Sequence, residues 1–212
     1  MSIIFVHELG HLAAARYYGW NTDKIYIYPL GGITKFNESI NKPLKEELVI
    51  VLMGPIFQLV YYVFLLCVGI KDIYLFNFVL LAFNLLPIYP LDGGKILNVL
   101  LAYFLPYKFS YSFTLTISYI CYFLFLIFLF LFYRSYFLFL VCFSLIFKIV
   151  EEYKKRNYYF NKFLLERYLY YYRYKKIKYI KRIDDMYRNK THFFLCNGLV
   201  FTEKDMLKKY FR

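Results

Sequence analysis

Long apolar runs separated by short polar breaks organise this chain from end to end. Residues 3–18 form an apolar, helix-favouring run that Gly19 ends. Residues 20–47 are polar and carry Lys24, Lys35, Lys42 and Lys45. Inside them, KIYIYPLGGITKF alternates β-forming residues around Pro29 and the Gly31-Gly32 pair, which predicts a short hairpin or edge strand. A second apolar span covers 46–70; its Met53-Gly54-Pro55 reads as a packing feature or a kink. Lys71-Asp72 marks a turn, and a third apolar run extends from 73 to 86 before breaking at PIYPLDGGK, where prolines and glycines cannot continue a helix. Helix is expected to resume at Ile96 and end near Pro106. A further span covers 111–132, and a shorter one, 136–150, follows Arg134-Ser135. The pattern predicts an all-α polytopic membrane protein of about five transmembrane helices with a short β-hairpin loop. Residues 1–150 would be the membrane core, and 151–212 a small basic cytosolic α+β tail.

Composition agrees with a bilayer: of 212 residues 61% are hydrophobic and 25% aromatic, well above a soluble domain. The charge is uneven. Residues 1–150 hold 10 Lys and Arg against 7 Asp and Glu, whereas 151–212 hold 17 against 7. A basic tail beside a membrane marks the cytosolic side and attracts anionic lipid. No nucleic-acid recognition module accompanies the charge, so nucleic acid is not an expected partner. Counting spans back from a cytosolic tail places the lysine-rich loop 20–47 inside as well, and residue 1 outside. A complete chain is then expected to have one further N-terminal helix, six in all. Cys67, Cys121, Cys142 and Cys196 form no C-x-x-C pair, and neither disulfides nor a cysteine metal site is expected.

The chemistry concentrates at His7-Glu8-Leu9-Gly10-His11, an H-E-x-x-H pattern that uses two of the three histidines in the chain. On a helix, His7 and His11 project from one face, one turn apart, and can share a Zn²⁺, while Glu8 can take a proton from metal-bound water. Two imidazoles and a carboxylate in an apolar run are costly without such a partner. A catalytic zinc needs a third ligand, and Asp92 is the leading candidate: it is the acidic residue of the stretch 73–105. Its depth is compatible, since 19 helical residues from Ile73 rise about 28 Å and bring it into the same leaflet as His11. The alternative ligand, His192, lies among charged residues and reads as a solvated surface histidine.

These residues resemble the site-2 intramembrane metalloproteases, peptidase family M50. That family pairs H-E-x-x-H on one membrane helix with an N-x-x-P-x-x-P-L-D-G segment on another. Here the second segment runs from Asn84 through Pro87 and Pro90 to Asp92, Gly93 and Gly94. More closely, HELGHLAAARYYGW, YPLGGITKF, NKPLKEELVIVLMGP, FNLLPIYPLDGGKIL, EEYKKR and FLLERY resemble the sporulation members of the family, over nearly all of residues 1–170. The resemblance implies one zinc per chain on His7, His11 and Asp92, with Glu8 activating water. It also implies that Asn84 and Pro90 shape the site, and that the hairpin at Gly31 and Gly32 offers an edge strand to an extended substrate. It further implies a membrane-tethered pro-sigma factor as substrate, membrane-embedded inhibitory partners, and a bacterial membrane, the mother-cell membrane around the forespore. Residues 177–212 resemble part of a nucleotide-sensing CBS domain, although about 36 residues are far fewer than a CBS pair needs. Loop 20–47 is too short for the PDZ insert of envelope-stress relatives.

The predicted activity is therefore zinc-dependent hydrolysis of a peptide bond in a membrane-associated substrate. Two other readings stay open on the residues alone. One is a metal-binding membrane protein such as an ion transporter, which would need more polar residues along the spans 48–70 and 111–132. The other is a catalytically silent scaffold.

Overall fold

The structure, a computed structural model, describes residues 2–20, 22–28, 31–36, 40–70, 74–132, 136–170, 172, 174–196 and 198–211; in 22–28, 31–36 and 136–141 only the backbone is described. The turns expected at Lys71-Asp72 and at 133–135, and Pro29 of the hairpin, lie outside these residues. The chain is mostly helical. Helix α1 is Ser2–Tyr17, and a hairpin of β1 (Thr22–Tyr28) and β2 (Gly31–Phe36) follows it. Then come α2 (Leu44–Cys67), α3 (Tyr74–Asn84), α4 (Asp92–Phe104), α5 (Tyr107–Phe132) and α6 (Tyr136–Leu169). Strands β3 (Ile177–Ile180), β4 (Thr191–Cys196) and β5 (Leu199–Thr202) and helix α7 (Glu203–Tyr210) complete the chain.

Helix α1 stops where the sequence says it should. Gly19 takes φ +66°, a conformation that suits glycine, and Trp20 N–H returns to the Ala15 carbonyl at 2.8 Å. Helix α1 lies chiefly against α2, and β2 runs beside α1. The hairpin is antiparallel, with Tyr28 opposite Gly31 and Ile27 opposite Gly32. Each of its two strands keeps one unpaired edge among the described residues.

Several helix boundaries differ from expectation, among them the start of α5, at Tyr107 rather than 111. Helix α4 begins at Asp92 rather than Ile96. Leu91 is extended, and from Asp92 onward the chain is helical, which places the carboxylate in the first turn where unpaired N–H groups favour a negative charge. Helix α6 does not stop at 150 but runs on through EEYKKR to Leu169, because Glu, Lys and Arg are good helix formers outside a membrane as well as at its edge. Among the described residues, Leu44–Cys67 and Tyr107–Phe132 are long and apolar enough to cross a membrane, and Tyr74–Asn84 is a shorter apolar helix. With 16 and 11 residues, α1 and α3 fall below the ~20 of a full crossing.

The tail forms a three-stranded sheet in the order β3-β4-β5, parallel then antiparallel. It does not stand apart. Ile180, Met186, Phe194 and Leu207 pack with Phe163 and Leu164 of α6 and Tyr107 of α5 in one core. Around that core, Arg188 donates to Glu47 at 2.6 Å, Arg167 Nε to Asn41 Oδ1 at 2.6 Å and Tyr174 to the Asn41 carbonyl at 3.0 Å. The tail is thus tied to Asn41, just before α2, and to the first turn of α2.

Candidate metal centre

Helix α1 carries His7, Glu8 and His11, all buried, on the side that meets α2 and α4. Two glycines let α1 and α2 approach. A Cβ on Gly10 would strike the Met53 carbonyl, and one on Gly54 would strike the His11 ring. The loop before α4 is held from the other side. Ile88 is fully buried among Tyr122, Leu145 and Ile149, and Tyr89 N–H donates to Ser118 Oγ at 2.8 Å. This anchoring sets the start of α4 and brings Asp92 under the histidines.

The outer nitrogens decide the state of the inner ones. His7 Nδ1–H donates to Gln58 Oε1 at 3.0 Å, and His11 Nδ1–H donates to the Ile50 carbonyl at 2.9 Å. Gln58 cannot be turned round, because its Nε2 donates to the Asn77 carbonyl at 3.1 Å and to Asn77 Oδ1 at 3.0 Å. With Nδ1 engaged as the donor in both rings, Nε2 is the nitrogen left in each to offer a lone pair to a cation. His7 Nε2 lies 2.9 Å from Asp92 Oδ2, His11 Nε2 lies 3.2 Å from it, and the two Nε2 atoms are 3.1 Å apart. Two imidazole nitrogens and a carboxylate oxygen converge on one point, where a cation would be held by all three. Two imidazoles and a carboxylate are a zinc donor set, and ligands about 2.0–2.1 Å from a tetrahedral ion sit about 3.3 Å apart. The residues fit that ion. A carboxylate oxygen of Glu8 lies within 4.8 Å of the histidine nitrogens, close enough to act beside such a centre.

Glu8, Asn84, Pro90, Asp92, Lys95 and Lys148 line one cleft at this centre, with Ile4, Leu80 and Leu145 as its apolar walls. The structure therefore brings together His7, Glu8, His11, Asp92, Asn84 and Pro90. Gly31 and Gly32 open β2, which runs beside α1. Gln58 and Asn77 were not anticipated, although a polar side chain within each of two apolar runs was the available signal. Lys95 Nζ lies 3.1 Å from Asp92 Oδ1.

His192 corrects an expectation. It is not a solvated surface residue: only 1% of it is exposed. It occupies an inward position of β4, with Phe194 the next such position. Its Nδ1–H donates to Glu203 at 2.7 Å, and its Nε2 accepts Tyr187 N–H at 3.0 Å. Burial pushes its pKa down, against the raising effect of Glu203. It takes no part in the cleft.

An H-E-x-x-H helix thus faces an aspartate within an apolar helical bundle, the arrangement that the family resemblance implied. A sequence model of peptidase family M50 matches residues 1–72 and 70–129, and the chain belongs to that family. Among its relatives, stage IV sporulation protein FB of Bacillus subtilis is 34% identical over 179 residues, 78% of this chain and 61% of that protein. A zinc metalloprotease of Methanocaldococcus jannaschii is 32% identical over 111 residues, 47% of this chain and 32% of that protein. The chain thus spans less than two thirds of the length of these relatives. The solved structure of a site-2 protease from Methanocaldococcus jannaschii superposes with a TM-score of 0.59 at 29% identity, covering 71% of this chain and 74% of that one.

Proposed function

We propose that this chain hydrolyses a peptide bond of a membrane-associated protein, with one zinc held by His7, His11 and Asp92. The observation that carries the reading is the meeting of His7 Nε2, His11 Nε2 and Asp92 Oδ2 within 3.2 Å beside Glu8. When bound, zinc supplies a Lewis acid for the scissile carbonyl and brings the pKa of its water toward neutrality. Glu8 accepts the proton of the attacking water and returns it to the leaving amine. Asn84 and Pro90 line the cleft where the substrate backbone would lie. A helical substrate hides its carbonyls, so it must be drawn out, and pairing to the hairpin that holds Gly31 and Gly32 would keep it extended.

Similarity to the sporulation protein extends the reading. The substrate is a membrane-tethered pro-sigma factor, inhibitory membrane partners restrain the enzyme, and the site acts in the mother-cell membrane around the forespore. Residues 1–150 are the protease core, and 151–212 are a cytosolic tail with a partial CBS-like segment and an attraction for anionic lipid. Co-expression with a membrane-anchored pro-sigma substrate tests the activity. The chain should shorten the substrate, and Glu8→Gln should lower cleavage by about 10²–10⁴-fold while retaining zinc. Equal cleavage by both proteins removes Glu8 from the mechanism.

A further inference from the structure

We propose that Lys95 is a positioning residue of the metal centre, holding one oxygen of Asp92 so that only the other faces the histidines. The inference rests on the reading of His7, His11 and Asp92 as ligands. Asp92 opens α4 and Lys95 follows one turn later on the same face. The two carboxylate oxygens have separate partners: Oδ1 accepts from Lys95 Nζ at 3.1 Å, and Oδ2 faces His7 at 2.9 Å and His11 at 3.2 Å. The Asp92 side chain is 7% exposed and that of Lys95 30%, so the ammonium reaches a buried carboxylate from the cleft that it lines with Glu8. An exposed helix pair three residues apart contributes little. A charged hydrogen bond to a buried carboxylate is stronger, because water does not compete for it.

The chemical consequence concerns denticity. A carboxylate with two free oxygens can grip a cation with both. A catalytic zinc keeps one position open for water. An ammonium on Oδ1 occupies that oxygen and repels a second cation from it, so Asp92 offers one oxygen only. Lys95 also offsets negative charge from Glu8 and Asp92 in an apolar setting.

The test uses this chain in detergent, loaded with zinc, as wild type, Lys95→Met and Lys95→Arg. Methionine keeps much of the apolar stem without the charge, and arginine keeps the charge. Zinc K-edge absorption should show one more oxygen neighbour in the methionine variant, and cleavage should fall about 10–100-fold. Arginine should restore both. A methionine variant with the wild-type spectrum, or an arginine variant that matches methionine, overturns the proposal. Zinc uptake separates this failure from failure of the underlying reading. A wild-type chain that binds no zinc, or that binds it undiminished after loss of His7 and His11, removes both.

Discussion

Gln58 determines which nitrogen His7 can offer. By accepting the Nδ1 proton it leaves the lone pair on Nε2, and its own amide is locked by Asn77. Gln58→Leu removes that acceptor from a fully buried position and frees His7 to turn or to change tautomer. Zinc affinity, measured by chelator competition, should fall about 10–100-fold, in line with the loss of other partners of metal-bound histidines. Unchanged affinity would show that helix geometry alone fixes the ring. Asp92→Asn should weaken zinc binding and cleavage together; intact zinc stoichiometry with turnover would place the third ligand elsewhere. At this scale the sequence was legible where spacing was local. His7 and His11 announce themselves four residues apart, and Asp92 by its charge in an apolar run. Gln58 stood out only as a polar residue in an apolar span, and its role was not legible because its partner lies 51 residues away. His192 was misread for a related reason: its neighbours in sequence are charged, but strand pairing turns its ring inward.

Among the helices, the contact between α1 and α2 decides whether the histidines can converge. Gly54 lies directly against the His11 ring, which is itself held by the Ile50 carbonyl. Gly54→Ala would force the ring or the helix to move, at a cost of about 1–3 kcal/mol for an overfilled buried contact. Lower thermal stability in detergent and reduced zinc content should appear together. A stable variant with full zinc would mean that α2 can shift without disturbing His11. The Gly-Pro pair in α2 read only as packing or a kink, since nothing in its own neighbourhood points to a histidine more than 40 positions away. The breaks at Gly19 and after Asn84 were visible because glycine and proline act locally. The start of α4 was not placed correctly, because it depends on Ser118 and on the burial of Ile88 by α5 and α6.

Over the whole molecule, the tail is fastened to Asn41, just before α2, and to the first turn of α2. Arg188 is buried and pairs with Glu47 at 2.6 Å, while Arg167 reaches Asn41, Glu203 and the Tyr187 and Arg188 carbonyls. None of this was visible in the sequence, where 151–212 shows mainly an excess of positive charge. Glu47→Gln leaves Arg188 buried without its carboxylate and should loosen the docking by on the order of 3 kcal/mol; faster amide exchange in β4 and in 40–47 together would report it.

The same docking makes the tail sensitive to acid. Burial holds the His192 pKa below its ordinary value, so the neutral ring is favoured in the folded tail. Burial opposes ionisation of Glu203, but the His192 hydrogen bond and the Arg167 charge outweigh it, and the Glu203 pKa is lowered. Both shifts act in one direction. The unfolded tail binds a proton at His192 as pH falls through about 6.5, and at Glu203 as it falls through about 4.3, while the folded tail resists both. Stability is therefore full above the higher of these values and declines in two stages below it. Limited proteolysis of the tail between pH 7.5 and 4 should show protection falling in that order. His192→Gln should remove the first stage and leave the second. If the variant declines with the wild-type profile from pH 6.5 downward, the acid response belongs to other groups and the neutral, buried state assigned to His192 is wrong.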